Sequence, residues 1–164
     1  MIVAGRSGGE GVRIVLEVEE AMLLSELADQ VDSVLLLGEA DDPALGRLLP
    51  NAYPEDPPAS QEFGRYTRES LVDGKRQAAQ RVRDATAVAD GDEGVVQIEL
   101  DQSEAWGWLT FLTDLRLILA ERVGIVEEDD DEADETRDDY LRAAYEWAGF
   151  VQGSMLEVLD PIDS

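Results

Sequence analysis

The 164-residue chain contains no cysteine and no histidine. The first absence removes disulfides, thiolate metal sites and thiol redox switches. The second removes the side chain that ordinarily titrates near neutrality, and with it Ser-His and Cys-His nucleophile systems, Glu-x-x-His di-iron sites and His-ligated zinc. Lysine is almost missing as well, since twelve of the thirteen basic residues are arginine. No apolar run approaches the roughly 18 residues of a membrane span, and Met1 to Gly11 has no secretory-type apolar stretch. These features imply a cytoplasmic protein that stays out of the membrane and uses no cofactor.

Negative charge is abundant. Thirty-eight Asp and Glu against thirteen Lys and Arg leave a formal charge of −25, which repels nucleic-acid backbones and anionic membranes and so disfavours nucleic acid as a partner. Leu, Ile, Val and Phe nevertheless supply 44 of the 164 residues, enough for a hydrophobic core in one domain.

Alternation over Val12, Ile14, Leu16 and Val18 reads as a half-buried strand. A helix follows from Glu19 to Leu37, with Leu24, Leu27, Val31 and Val34 at helical spacing and Gly38 as its stop. Five of the six prolines fall between Pro43 and Pro58, so this interval is loop with at most one helical turn around Ala44 to Leu49. Ser60 to about Asp90 reads as helix with a possible break at Gly74. A second alternating strand, Val95 to Leu100, runs into a helix from Ser103 to Val123, with Asp101 and Glu104 as a capping pair and Gly124 as the stop. That helix is apolar nearly all round, which predicts a central element wrapped by others. Thr136 with Asp139 suggests the cap of a last helix carrying Leu141, Ala144, Ala148, Val151, Met155 and Val158 on one stripe.

The two strand-to-helix passages match at an offset of 84: Val12-x-Ile14-x-Leu16-Glu17-x-x-Glu20-Ala21 against Val96-x-Ile98-x-Leu100-Asp101-x-x-Glu104-Ala105. Duplication of one unit and convergence of two capped passages both produce this pattern. Two lone strands satisfy their amides best by pairing with each other. The expected fold is therefore α+β: a mainly helical single domain of four to five helices with a small two-stranded β-ribbon. It spans 12–164 after a flexible leader at 1–11, with a Pro-rich loop at 42–58 and an acidic loop at 126–136.

Four constellations bear on chemistry. Gly5-Arg6-Ser7-Gly8-Gly9 spells G-x-S-x-G, but a strand follows it and no histidine serves it, so it reads as leader. Ten of the thirteen positions from Glu127 to Asp139 are acidic, yet Ala133 and Asp134 occupy the third-ligand and glycine positions of a calcium loop, which favours a solvated segment. Thr110, Thr113, Asp114 and Glu121 share a helix face. There Asp114 and Glu121 are either half of a metal or acid/base site, or Asp114 and Arg116 are partly buried polar groups satisfied by neighbouring helices. From Arg65 to Arg83 the chain carries Arg65, Arg68, Lys75, Arg76, Arg81 and Arg83 against Glu69 and Asp73; all but Arg81 fall on one side of an unbroken helix. This basic stripe pairs either with the acidic loop or with an external ligand, a protein in preference to a nucleic acid. Gly149 and Gly153, one turn apart, serve core packing or a homodimer seam, so the chain is a monomer or a homodimer. The three tryptophans sit at helical positions and are read as core.

Arg47-Leu48-Leu49-Pro50-Asn51-Ala52-Tyr53, Asp56-Pro57, Glu62-Phe63, Arg65, Thr67 and Lys75, with Trp108-Leu109, Thr113-Asp114-Leu115-Arg116-Leu117 and Arg122-Val123-Gly124-Ile125, form a further pattern. Together these residues resemble an actinobacterial domain-of-unknown-function family commonly encoded beside the ClpS adaptor. That family includes AosR-type oxidative-stress regulators associated with sigma factors through a Cys-x-x-x-Cys pair. The resemblance implies a regulator; the cysteine pair has no counterpart here.

The expectation is thus a non-enzymatic regulatory or adaptor protein, linked to transcription or stress response, that contacts a protein partner by charge through Arg65, Arg68, Lys75, Arg76 and Arg83. Its alternatives are a carboxylate-dependent metal enzyme using Asp114 and Glu121, and a weak nucleic-acid-binding regulator.

Overall fold

The structure, a computed structural model, describes residues 1–6, 9–38, 43–49, 58–87, 94–128 and 135–159; within these, side chains are described except at 58–67, 125–128 and 135–138. Three strands and five helices follow the order β1 (Ile2–Gly5), β2 (Gly11–Glu17), α1 (Val18–Leu37), α2 (Pro43–Leu48), α3 (Pro58–Ala85), β3 (Val95–Asp101), α4 (Gln102–Glu128) and α5 (Glu135–Leu159). The sheet is antiparallel in the order β1-β2-β3.

The expected ribbon of two strands is therefore a sheet of three. Residues 2–5, assigned to a flexible leader, pair with β2 in the register Ile2↔Val15 to Gly5↔Val12. Four residues with a single half-buried position, Val3, carry too little alternation to announce a strand. Their backbone groups are satisfied because β2 offers a free edge. Gly11 has a positive φ of 139°, and a Cβ there would run into the Leu100 carbonyl, so only glycine lets the chain enter β2.

The pairing of β2 with β3 is as expected, and its register converts the sequence offset into local twofold symmetry. Val12 faces Leu100, Leu16 faces Val96, and at the centre Ile14 faces Ile98, its own equivalent at an offset of 84. Both strands deliver their chain into a helix through the same device. Glu17 N–H donates to Glu20 Oε1 at 2.9 Å, and Asp101 N–H donates to Glu104 Oε1 at 3.1 Å. In the second box Glu104 N–H returns a bond to Asp101 Oδ1 at 2.8 Å, which lowers the Asp101 pKa. Each entry helix then packs along a second long helix, α1 on α3 and α4 on α5.

One sheet face, with Val12, Ile14, Leu16, Ile98 and Leu100, is buried against the helices. The other presents Arg13, whose Nη2 lies 2.9 Å from Glu99 Oε1. The core continues through Leu24, Leu27 and Val31 of α1 and Phe111, Leu112, Leu115, Ile118 and Leu119 of α4. α3 runs unbroken through Gly74, and α4 passes Gly124 to end at Glu128. α2 supplies the helical turn expected inside the Pro-rich segment; α5 starts at Glu135, so Thr136 lies within it. Ser7 and Gly8, and residues 129–134 of the acidic segment, lie outside the described residues.

Candidate protein-interaction site

The arginine stripe on α3 is largely spent inside the protein. Lys75 Nζ donates to Asp114 Oδ1 at 2.7 Å, Arg76 Nε to Asp32 Oδ1 at 2.8 Å and Arg83 Nη1 to Asp29 Oδ1 at 3.0 Å. Three of the five residues expected to contact a partner thus tie α3 to α1 and α4. Their counter-charges come from those helices; none of these three bonds involves the acidic segment. Asp29 raises the Arg83 pKa by accepting its hydrogen bond. Arg68 is half-buried with no ion-pair partner among the described residues, and the Arg65 side chain lies outside them.

The two carboxylates weighed as a metal or acid/base pair point to different cations. Asp114 is buried between α3 and α4; burial raises its pKa while Lys75 pulls it down. Glu121 Oε2 accepts from Arg47 Nε of α2 at 3.1 Å. Each carboxylate thus pairs with a cation from a neighbouring helix, while Asp114 Oδ2 and Arg116 Nε are buried with no hydrogen-bond partner among the described residues. No group of three acidic side chains placed to hold a metal ion occurs among the described residues.

The described surface carries an acidic row along the outer side of α1, at whose edge the half-exposed Arg83 pairs with Asp29. Glu19, Met22, Glu26, Asp29, Ser33 and Leu37 recur at helical spacing and are all exposed. Two open clefts share Glu26 and Asp29 and flank this row. One, of about 670 Å³, runs between the start of α1 and Thr86 and Ala87 at the end of α3. The other, of about 460 Å³, continues along Gln30, Ser33, Leu37 and Gly38 beside Arg122 of α4. Tyr140 of α5 stands close enough to Glu26 that the carboxylate adds to the burial raising its phenol pKa. Met22, Leu36 and Leu37 leave 59%, 56% and 75% of their surface in water, so the acidic row has apolar ends. An elongated acidic surface with exposed apolar anchors suits a basic amphipathic segment.

Sequence reasoning missed this row. The signal that separates Met22, Leu36 and Leu37 from the core is their phase against Leu24, Leu27, Val31 and Val34.

The fold and surface define a helical α+β protein of two strand–helix–helix units on a small antiparallel sheet, set apart by the placement of its charges. The chain belongs to the family described as Domain of unknown function (DUF2017), which matches residues 3–159. No curated protein and no solved structure matches it. No helix among the described residues is long and apolar enough to cross a membrane.

Proposed function

We propose that this chain is a non-enzymatic regulatory or adaptor protein of the cytoplasm that docks a basic protein partner by charge along the outer face of α1. The observation that carries the reading is the pairing of Lys75, Arg76 and Arg83 with Asp114, Asp32 and Asp29, which engages three cations of the stripe within the protein while Glu19 and Glu26 stay exposed on α1. The contact thereby moves from the arginine stripe to the carboxylates of Glu19 and Glu26 and the side chains of Met22 and Leu37. The resemblance to the actinobacterial family that includes AosR-type regulators and neighbours ClpS supports the regulatory half of the reading. Without cysteine, recognition here runs on charge and apolar contact instead of a thiol switch.

The test is affinity selection of partners with the full chain and two variants of equal charge change. Glu19→Lys with Glu26→Lys alters α1, and Glu146→Lys with Glu157→Lys alters exposed positions of α5. Loss of a partner in the first variant alone supports the proposal. Equal behaviour of the two variants overturns it. A retained complex should also weaken from about 0.1 to about 1 M salt, as the Debye length shrinks from about 10 to about 3 Å.

A further inference from the structure

Arg81 is the cation of α3 that falls off the basic stripe, and it is exposed with no ion-pair partner among the described residues. It borders a cavity of about 170 Å³ between the last turns of α3 and the first turns of α4. Small residues open this gap. Ala78 and Ala85 line it from α3 and Gly107 from α4, where an added Cβ would meet nothing within 4 Å. Trp108 of α4 and Leu100 of β3, 2% and 3% exposed, give it apolar walls.

Charges of both signs line the same cavity. Arg81 and Asp84 come from α3 and Glu104 from α4, all three exposed. Asp84 keeps 80% of its side chain in water, and the cation nearest it among the described residues is Arg83, whose Nε is 4.0 Å away. Glu104 is held in place by the capping box, its Oε1 accepting from Asp101 N–H at 3.1 Å. A carboxylate fixed in this way loses little freedom when a ligand arrives. The cavity therefore combines an apolar interior with one uncommitted guanidinium and two carboxylates.

Volume limits the body of the ligand, and the charges choose its head group. An apolar cavity of about 150 Å³ takes benzene, so this one admits a body no larger than a phenyl ring. A purely apolar guest would leave all three charges unanswered. An amine leaves Arg81 without a partner, and a carboxylic acid leaves Asp84 and Glu104 without one. A zwitterion answers both signs. We infer that the cavity binds a free α-amino acid with a branched aliphatic or phenyl side chain. Its carboxylate meets Arg81, its ammonium meets Asp84 and Glu104, and its side chain packs on Trp108. The cavity shares no lining residue with the two clefts along α1, so this inference and the docking proposal stand or fall separately.

Isothermal titration calorimetry of the full chain with L-leucine tests it, beside three analogues that each lack one part. L-leucinamide keeps the ammonium without the carboxylate, isocaproate keeps the carboxylate without the ammonium, and glycine keeps the head without the side chain. Leucine should bind with a dissociation constant of about 1 mM or below, and each analogue at least about tenfold more weakly. Gly107→Leu fills the cavity and should abolish leucine binding, with the far-UV circular dichroism of the parent because the added side chain enters open space. Arg81→Gln should weaken leucine by about tenfold or more and leave the weaker binding of leucinamide unchanged. No binding of leucine at about 10 mM, by heat or by a shift in thermal unfolding, overturns the inference. So does leucinamide binding as tightly as leucine, or leucine binding that survives either substitution.

Discussion

Lys75 of α3 meets Asp114 of α4 at 2.7 Å with only 13% and 3% of the two side chains in water. The second carboxylate oxygen, Asp114 Oδ2, is buried without a hydrogen-bond partner. Such a pair is held together largely because either charge alone would be worse off. Lys75→Met should therefore cost about 3 kcal/mol in denaturant unfolding. Adding Asp114→Leu should recover most of the loss, since the apolar pair carries no desolvation penalty. A double variant no more stable than Lys75→Met would show that the ion pair itself holds α3 on α4.

The same carboxylate gives the protein a pH dependence of known sign. Burial raises the Asp114 pKa above its ordinary 3.8, with Lys75 opposing. The folded chain thus keeps this proton over an interval where the unfolded chain has released it. The stability owed to Asp114 is full below 3.8, declines as pH climbs to the raised value, and is constant above it. Asp114→Asn has no proton to release. The stability of the wild type minus that of Asp114→Asn should fall with rising pH through this window, as read by unfolding at a series of pH values. A flat difference would contradict the assignment.

The capped strand-to-helix passages were legible because their signals are local. Glu17 with Glu20 and Asp101 with Glu104 stand three residues apart, and Val12 to Leu16 and Val96 to Leu100 alternate cleanly. Their matched offset also anticipates the register, with Ile14 opposite Ile98. β1 was not legible, because its stability comes from the edge of β2 and not from its own pattern. The arginine stripe was correctly placed on one helix face, but its partners, Asp29, Asp32 and Asp114, are 39 to 54 residues away in the chain. No periodicity within α3 distinguishes a stripe that faces solvent from one that faces a neighbouring helix. The exposure of Trp106 and Leu117 on α4, 47% and 36%, was hidden for the related reason that an all-round apolar helix does not declare which side lacks a neighbour.

Two helical glycines should respond oppositely to the same substitution. At Gly74 of α3 a Cβ meets nothing within 4 Å, so Gly74→Ala should stabilise by about 0.5 to 1 kcal/mol through the reduced freedom of the unfolded chain. At Gly149 of α5 a Cβ would sit 3.2 Å from Arg116 Cζ and Nε. Gly149→Ala must push the guanidinium off Tyr145 or strain it, so its gain should be smaller or become a loss. Thermal unfolding of the two variants beside the parent measures the contrast. Equal stabilisation at both sites would mean that Arg116 gives way freely.

Arg76 and Arg68 share a helix but differ in what their charge does. Arg76 Nε meets Asp32 Oδ1 at 2.8 Å, and the two side chains are only 26% and 14% exposed. Arg76→Glu opposes two carboxylates across the α1–α3 seam and should cost about 2 kcal/mol. Arg68→Glu breaks no described ion pair and should change stability by less than about 0.5 kcal/mol. The comparison matters for any interaction experiment on this helix. A partner lost with Arg76→Glu would report a loosened α1 as readily as a missing contact, because Asp32 lies on the helix that carries the proposed docking row. Arg68→Glu reads the stripe without breaking a described ion pair to α1. If Arg76→Glu proves as stable as the parent, α3 is held on α1 by its apolar face alone, and the arginine is available to a partner after all.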